Sequence, residues 1–299
     1  MSILVVGSIA LDTVETPYGK VNDSPGGSAL YFSTAASFFA PVNVVGVVGE
    51  DFDFNLVDFL KAKQVDLSGL KVEKGDTFRW GGRYHDNMNQ RDTLFTYLNV
   101  FEKFKPEIPA NYRSSKFVFL ANIHPELQLE VLKSINSPTL TILDTMNFWI
   151  SGSRAALEKV IERVDVMILN DEEIRELTGI QNINIASRAI FKMGPKVLVV
   201  KKGEHGAVLI TGNDFFSAPA YPVEKVVDPT GAGDSFAGGF VGYLACCTKL
   251  KDEDFRKAVA YGSTVASFSV ESFSFDMLKR ISREDIDKRL EDFRKITQF

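Results

Sequence analysis

The sequence has few cysteines and no excess of positive charge, and both shortages narrow the possible functions. Its two cysteines, Cys246 and Cys247, are adjacent, a geometry too constrained for an ordinary structural disulfide. We therefore expect reduced thiols in or near the core of a cytoplasmic protein. Lysine and arginine number 34 against 39 aspartates and glutamates, and the net charge of −5 argues against a nucleic-acid partner, which would require a basic face.

Long apolar runs and metal-type histidine clusters are also absent from the sequence. No stretch reaches the length of a transmembrane helix, and the apolar first residues lack a basic segment and are interrupted by Asp12, so we expect no membrane partner. His85, His124 and His205 share no spacing that predicts a zinc site or a nucleophilic triad. The chain has no G-x-x-x-x-G-K-[ST], and the dinucleotide pattern G-x-G-x-x-G fails at Phe236.

Short apolar runs alternate with helical patterns along the chain. The runs are strand-length and β-branched, as central strands buried on both faces are: residues 3–10, 42–49, 116–122, 139–145, 164–170 and 196–203. Helical patterns cover residues 27–39, 55–63, 126–134, 154–163, 171–177, 183–193, 253–270 and 283–297. This alternation predicts an α/β fold with a doubly wound, mostly parallel sheet flanked by helices, in a single domain over residues 1–299.

Residues 76–100 depart from the alternation. They contain two β-rich stretches around a polar turn, which predicts a hairpin, and with residues 12–24 the hairpin would form a small sheet projecting from the core. Its aromatic side chains would give it an aromatic face: Phe78, Trp80, Tyr84, Phe95 and Tyr97. Two interpretations stay open, a lid over a substrate or a hairpin packed on the core, and a homodimer through the lid is a further expectation.

The most informative motif is a glycine-rich turn that leads into a helix, DPTGAGDSFAGGF at residues 228–240. Gly231 and Gly233 permit a tight turn with positive φ. The N–H groups of Gly231, Ala232 and Gly233 would then lie free at a helix N-terminus, as a phosphate site, with Asp234 beside them to accept a proton from a hydroxyl. The alternative is a loop that only opens a closely packed helix, which accounts for the later glycines but not for the Gly-Ala-Gly-Asp start.

These residues make the chain resemble the ribokinase/PfkB family of carbohydrate kinases over nearly its whole length. The glycine turn matches the family's D-x-x-G-A-G-D-x-F pattern. The other matching segments are Gly26-Gly27-Ser28 followed by GVVGEDFD at 46–53, NDEE at 170–173 and KKGEHGA at 201–207. Four elements in the family's order are more specific than any one of them, and the resemblance implies a ribokinase-like fold and phosphoryl transfer.

The resemblance implies ATP and Mg²⁺ as cofactors and assigns roles to the matched residues. Asp234 would be the general base, beside an anion hole of Gly231, Ala232 and Gly233. Asn170 and Glu173 would hold Mg²⁺ through water, since this cation prefers oxygen ligands and retains water. The nucleotide phosphates or their supporting turn would involve Lys201, Gly203, Gly206 and Asp228. Without the resemblance, NDEE is an N-capped helix start and KKGEHG a hairpin turn. A monovalent cation site is left open, because residues 267–276 lack the family's glycine.

On the acceptor side the resemblance implies a small sugar, sugar acid or polyol as substrate. Asp12 would bind sugar hydroxyls, and Gly26 and Gly27 would let the ligand approach the backbone. Tyr31 replaces the family's asparagine, which argues against ribose-like recognition. Arg83 of the lid would pair with an acceptor carboxylate or phosphate, or else belong to a solvated charged face. A nucleoside kinase of the same family and a catalytically silent binding protein are the alternatives.

Overall fold

The computed structural model describes residues 1–212 and 214–298. Its strands are β1 (Ile3–Val6), β2 (Ala10–Thr16), β3 (Gly19–Gly26), β4 (Val42–Gly49), β5 (Val65–Glu73), β6 (Phe78–Tyr84), β7 (Arg91–Tyr97), β8 (Phe117–Leu120), β9 (Leu140–Asp144), β10 (Val166–Asn170), β11 (Val197–Lys201), β12 (Ala207–Thr211) and β13 (Phe215–Ala218). Its α-helices are α1 (Ser28–Ala36), α2 (Phe59–Ala62), α3 (Pro125–Ser134), α4 (Asn147–Gly152), α5 (Arg154–Ile161), α6 (Asp171–Thr178), α7 (Ile183–Met193), α8 (Ala232–Cys246), α9 (Asp252–Ser269), α10 (Asp276–Arg280) and α11 (Arg283–Thr297). Short 3₁₀ helices cover Phe54–Val57, Asn99–Lys103 and Gly203–His205.

A central nine-stranded sheet has the order β13-β12-β11-β10-β9-β8-β1-β4-β5. The strands from β11 to β5 pair in parallel, whereas β12 and β13 add antiparallel strands at one edge. In β1, Ile3 and Val5 belong to one apolar layer and Leu4 and Val6 to the other, since successive strand side chains point to opposite faces. The predicted α/β class, a mostly parallel sheet between layers of helices, is confirmed.

Strands β3, β2, β6 and β7 form a second sheet in that order, which contains the predicted lid residues. The β2 and β6 strands pair in parallel, and each pairs with its own hairpin partner antiparallel. Trp80 and Tyr84 lie on one face, whereas Phe95 pairs with Gly81 and lies on the other. The prediction of one aromatic face is therefore wrong, and the closing of this sheet over a substrate stays a prediction.

Three local predictions from the sequence need correction. Residues 3–10 are two strands rather than one, because the chain leaves the central sheet at Gly7, where a Cβ would lie 2.8 Å from the Ala121 Cβ. The helix predicted over 55–63 is a 3₁₀ turn, capped by the Asp53 carboxylate at Asn55 N, followed by the short α2. Cys246 is exposed rather than in the core, because it is the last residue of α8.

Candidate active site

The candidate site lies at the carboxyl ends of adjacent parallel strands. Asp144, Asn170 and Lys201 are the last residues of β9, β10 and β11, so they come together at one edge of the sheet. Helix α8 brings Asp234 to the same edge in its first turn. The charges of Asp144 and Lys201 both influence the pKa of Asp234, which makes these residues one electrostatic cluster.

The glycine turn before α8 is built on the ring of Tyr31. Gly231 has a φ of 72° in the left-handed region, and a Cβ at this position would overlap that ring. Among the described residues, the N–H groups of Gly231 and Gly233 have no hydrogen-bond partner. The N–H of Ala232 instead donates to Pro229 O at 3.2 Å. Two of the three predicted anion-hole donors are thus available, and the third is already engaged.

Asp228 braces this turn from below. One carboxylate oxygen accepts the N–H of Thr230 at 2.8 Å, and the other accepts the N–H of Ser274 at 3.4 Å. Thr230 Oγ1 in turn donates to the Tyr84 hydroxyl at 3.2 Å. The glycine turn is therefore connected both to the segment after α9 and to the lid sheet.

Asp234 is partly buried, and its environment strengthens it as a base. Burial raises the pKa of Asp234 to about 8, the negative charges of Asp144 and Asp12 add to this rise, and the Lys201 ammonium opposes it. A carboxylate with such a pKa holds a proton far more strongly than an ordinary one. In its ionised form Asp234 is therefore a stronger proton acceptor for a bound hydroxyl than an ordinary aspartate.

Lys201 is the cation of the cluster, and its stem runs beside the glycine turn. Its Nζ lies 3.4 Å from Asp144 Oδ2, and a Cβ on Gly233 would lie 3.1 Å from the same Nζ. Burial lowers the pKa of Lys201, but Asp144, Glu173 and Asp234 raise it by more, so the side chain stays charged. A phosphoryl group seated on the turn would thus meet an ammonium as well as backbone donors.

Asn170 and Glu173 form a reciprocal cap at the start of α6. Asn170 Oδ1 accepts the N–H of Glu173 at 2.8 Å, and Glu173 Oε2 accepts the N–H of Asn170 at 2.7 Å. Burial raises the pKa of Glu173 to about 7, although Lys201 lowers it. The predicted N-capped helix start is confirmed, and the charge of Glu173 acts on Lys201 of the cluster.

These caps decide how a magnesium ion would fit. One Glu173 oxygen and the Asn170 oxygen are already occupied by backbone donors. Over residues 1–212 and 214–298 no group of three or more aspartate, glutamate, histidine or cysteine side chains is arranged to hold a metal. The donor set therefore fits Mg²⁺ held through its own waters, and it does not fit an ion enclosed by protein ligands.

The segment after β11 is the turn of the β11–β12 hairpin. Gly203 and Gly206 have φ values of 53° and 87°, and a Cβ on Gly206 would overlap Ala218 O. The lid reaches this turn, because Asn89 Nδ2 donates to Glu204 Oε1 at 3.2 Å. The sequence prediction of a hairpin turn is confirmed, and its role toward a nucleotide stays a prediction.

Asp12, whose charge also acts on Asp234, lies against the glycines that precede α1. A Cβ on Gly26 would overlap the Asp12 carboxylate, and Gly27 has a φ of 90°. Burial raises the pKa of Asp12 to about 7, Asp228 adds to the rise, and the Gly27 N–H and Arg91 oppose it. Asp12 and the glycines are therefore together, and their contact with an acceptor, which the resemblance implies, stays a prediction.

The structure does not bring Arg83 to this group. Along β6, Trp80 and Tyr84 share the face of Asp12, which pairs with Trp80, whereas Arg83 points to the opposite face. There it forms an ion pair with Glu15 at 3.0 Å and is 51% exposed. We call the lid face that carries Asp12, Trp80 and Tyr84 the inner face. The lid arginine on this face is Arg91, whose guanidinium lies 5.0 Å from the Trp80 ring centroid.

A family model matches this arrangement over most of the chain. The model of the pfkB family carbohydrate kinases matches residues 1–276. The chain belongs to this family. It is accordingly a phosphotransferase with an alcohol group as acceptor, and the predicted resemblance is confirmed.

Relatives within and near the PfkB family differ in their named acceptors. Cytidine kinase of Thermococcus kodakarensis is 31% identical over 271 residues, which cover 87% of this chain and 96% of the relative. Ribokinase of Lactococcus lactis is 26% identical, with 90% of this chain and 92% of the relative covered. The structure of Arabidopsis thaliana ribokinase complexed with ribose and ATP superposes with a TM-score of 0.77 at 20% identity, covering 97% of this chain and 98% of that one. That likeness supports the fold.

Two residues of this PfkB site, Asp144 and Thr230, were given no role by the sequence. Asp144 follows an apolar run, the one signal that could have drawn attention to it. Tyr84 and Arg91 belong to the predicted lid, but which lid residues lie on the face of Asp12 depends on the strand register, and no local pattern gives that. Among the described residues, no helix is both long and apolar enough to cross a membrane.

Proposed function

We propose that the protein transfers the γ-phosphoryl group of ATP to a hydroxyl of a small sugar, sugar acid or polyol. One observation carries the proposal: a partly buried carboxylate with a raised pKa, Asp234, follows a turn whose Gly231 and Gly233 N–H groups are unused. The carboxylate would take the hydroxyl proton while the N–H groups bind the phosphoryl oxygens. A catalytically silent protein would not need a base of this strength.

On the nucleotide side, the phosphates would lie between the glycine turn and the Gly203–Gly206 turn, with Lys201 beside them. Asn170 and Glu173 would hold Mg²⁺ through water. When bound, the ion neutralises charge that develops on the phosphate oxygens. The protein's own contribution is to orient the waters and to fix Lys201 and the glycine N–H groups in place before the reaction.

On the acceptor side, Asp12 would bind substrate hydroxyls, and Gly26 and Gly27 leave room for the ligand against the backbone. The inner lid face would cover the acceptor and exclude water, which competes as a phosphoryl acceptor. The homodimer expected through the lid would use the outer face, where Leu94 and Tyr97 are 44% and 56% exposed.

A nucleoside is the second candidate acceptor. The Arg91 guanidinium over the Trp80 ring makes a flat surface on the inner lid face, on which a planar base could stack. The similarity to a cytidine kinase supports the same candidate. On this alternative the ribose hydroxyls would contact Asp12. Tyr31 would stand in place of the family's asparagine, whose amide would hydrogen-bond the hydroxyls of a free sugar.

A substrate panel separates the two candidates. Purified protein with ATP and Mg²⁺ would be tested against pentoses, hexoses, sugar acids, polyols and ribonucleosides, with ADP release as the readout. Saturable turnover of a free sugar, sugar acid or polyol supports the leading proposal, and turnover of nucleosides alone overturns it in favour of the second.

A matched pair of aromatic variants tests the stacking surface. Trp80→Ala should raise the KM of a nucleoside by about 5- to 150-fold, because base stacking contributes about 1–3 kcal/mol. Phe215→Ala, an exposed aromatic residue on the edge strand β13, should leave that KM unchanged. ATP binding without turnover of any panel member would contradict both kinase proposals.

A further inference from the structure

We infer that Asp144 is a positioning residue, which holds the Lys201 ammonium beside the anion hole and away from Asp234. The inference rests on the proposed phosphoryl transfer and assigns a role to a residue that no sequence motif singles out. Asp144 would act on the transferred phosphoryl group through Lys201, while its own charge also raises the pKa of Asp234.

The Asp144 carboxylate is itself fixed. Its Oδ1 accepts the N–H of Thr145 at 2.9 Å, which leaves Oδ2 facing Lys201 Nζ at 3.4 Å. The Asp144 side chain is 7% exposed and the Lys201 side chain 18%, so water screens the pair little. The ion pair connects the ends of β9 and β11 across β10. It therefore sets the direction in which the lysine leaves the sheet.

That direction leads to the glycine turn. A Cβ on Gly233 would lie 3.1 Å from Lys201 Nζ, 3.7 Å from Cε and 3.8 Å from Cδ. The last carbons of the lysine thus run along the turn, and the absent side chain at position 233 is what allows this approach. An oxygen bound at the Gly233 N–H would be close to the ammonium.

Two other carboxylates compete for the same ammonium. The charges of Glu173 and Asp234 both act on Lys201. One Glu173 oxygen is already held by Asn170 N at 2.7 Å in the helix cap. Asp234 is the base, and an ammonium drawn onto it would form an ion pair that has to break before the carboxylate accepts a proton. Asp144 prevents this by offering Lys201 a fixed partner of its own.

The consequence for the reaction concerns where each charge goes. The acceptor oxygen bonds to the γ-phosphorus, the bond to the β–γ bridging oxygen breaks with its electrons leaving on ADP, and the hydroxyl proton passes to Asp234. Negative charge on the transferred phosphoryl oxygens is stabilised by Lys201 and the Gly231 and Gly233 N–H groups. The lysine can give this support only if it is not paired with the base.

The test is Asp144→Asn, which keeps the shape of the side chain and an oxygen for Thr145 N but removes the charge. We expect kcat to fall by roughly tenfold or more and the KM of ATP to rise. The charged groups that face Asp234 are Asp144, Lys201 and Asp12. The loss of the Asp144 charge and the pairing of Asp234 with Lys201 both lower the pKa of Asp234, so the acid limb of the kcat/KM profile should move to lower pH.

Two comparisons separate positioning from general damage. Asp165→Asn changes a carboxylate at the opposite end of the same strands, where it accepts the Thr141 N–H and hydroxyl at 2.9 and 2.7 Å. It should leave kcat, both KM values and the pH profile unchanged in folded protein, as judged by circular dichroism. In a Lys201→Met background, Asp144→Asn should leave the KM of ATP unchanged and should act only through the pKa of Asp234, because its route through the ammonium is gone.

The inference is overturned if Asp144→Asn leaves the acid limb in place, or if it costs the same with and without Lys201. Wild-type turnover that Asp234→Asn abolishes, together with a silent Asp144→Asn, would overturn the inference alone and leave the proposed function intact. A wild-type protein without turnover would overturn the proposed function. In that case the ATP affinity, measured by calorimetry, still tests the inference, because an affinity of Asp144→Asn equal to that of the wild type also overturns it.

Discussion

Replacing the proposed base by its amide, Asp234→Asn, should make the protein more stable while turnover is lost. Burial raises the pKa of Asp234 to about 8 from 3.8. The folded protein therefore holds this proton at pH values where the unfolded chain has released it. The cost to folding begins above pH 3.8, grows as the pH rises, and is complete above pH 8. An asparagine carries no such cost at any pH.

The size of the effect follows from the same pKa. A carboxylate that titrates near 8 costs the folded state up to about 6 kcal/mol above that pH. The interactions of Asp234 with Lys201 and Asp144 are shared among the three groups, so we expect a gain of about 3–6 kcal/mol. For a chain of this size the gain corresponds to a rise in Tm on the order of 5–10 °C at pH 8. At pH 5.5 less than about half of it should remain.

The assay combines thermal unfolding at both pH values with turnover and ATP binding. Turnover should fall by about 10²–10⁴-fold, the usual contribution of a general base, while the ATP affinity measured by calorimetry stays within about twofold. Asp165→Asn should instead lower Tm at both pH values, because its carboxylate accepts two hydrogen bonds from Thr141. Near-normal turnover in Asp234→Asn, or a Tm below that of the wild type at pH 8, would refute the reasoning.

Two further substitutions test other parts of the site. Gly231→Ala places a Cβ into the Tyr31 ring at a φ of 72° and should lower the free energy of unfolding, measured in urea, by about 3 kcal/mol or more. The control Gly152→Ala has open space around it and should lower the free energy of unfolding by less than about 1 kcal/mol. Equal stability of the two variants would contradict the packing argument. Glu173→Gln keeps an oxygen for Asn170 N but loses the charge, and it should raise the Mg²⁺ concentration for half-maximal activity about tenfold. Glu172→Gln, at the exposed neighbouring position, should leave that Mg²⁺ concentration unchanged. An unchanged Mg²⁺ titration would argue against a magnesium role for Glu173.

The parts of the site that could be predicted are those whose cause is local in the chain. In the Gly-Ala-Gly-Asp start of α8, Gly231 has the predicted positive φ, whereas Gly233 does not and instead leaves room for Lys201, and the carboxylate of Asp234 follows within three residues. The Asn170–Glu173 cap is a reciprocal pair within one helical turn, so four letters of sequence are enough to predict it. Strands that are apolar at every position predict a parallel sheet, because such strands are buried on both faces.

The parts that could not be predicted depend on contacts between distant residues. Asp144 and Lys201 are 57 positions apart, and their meeting follows from β10 lying between β9 and β11. In the lid, the register with β2 decides that Tyr84 faces Asp12 and Arg83 does not. A shift of one residue would exchange the two, because neighbouring strand residues point to opposite faces. The sequence contains both side chains but nothing local that fixes the register.

The strength of the base is likewise a property of the assembled site. An aspartate with its ordinary pKa is a weak acceptor for a hydroxyl proton, and one with a pKa far above 8 would be protonated and inactive at neutral pH. Burial and Asp144 raise the pKa of Asp234, while Lys201 lowers it. Because Asp144 also holds Lys201, the same carboxylate strengthens the base and keeps the ammonium free for the phosphoryl group. Moving either charge would therefore change both halves of the reaction together.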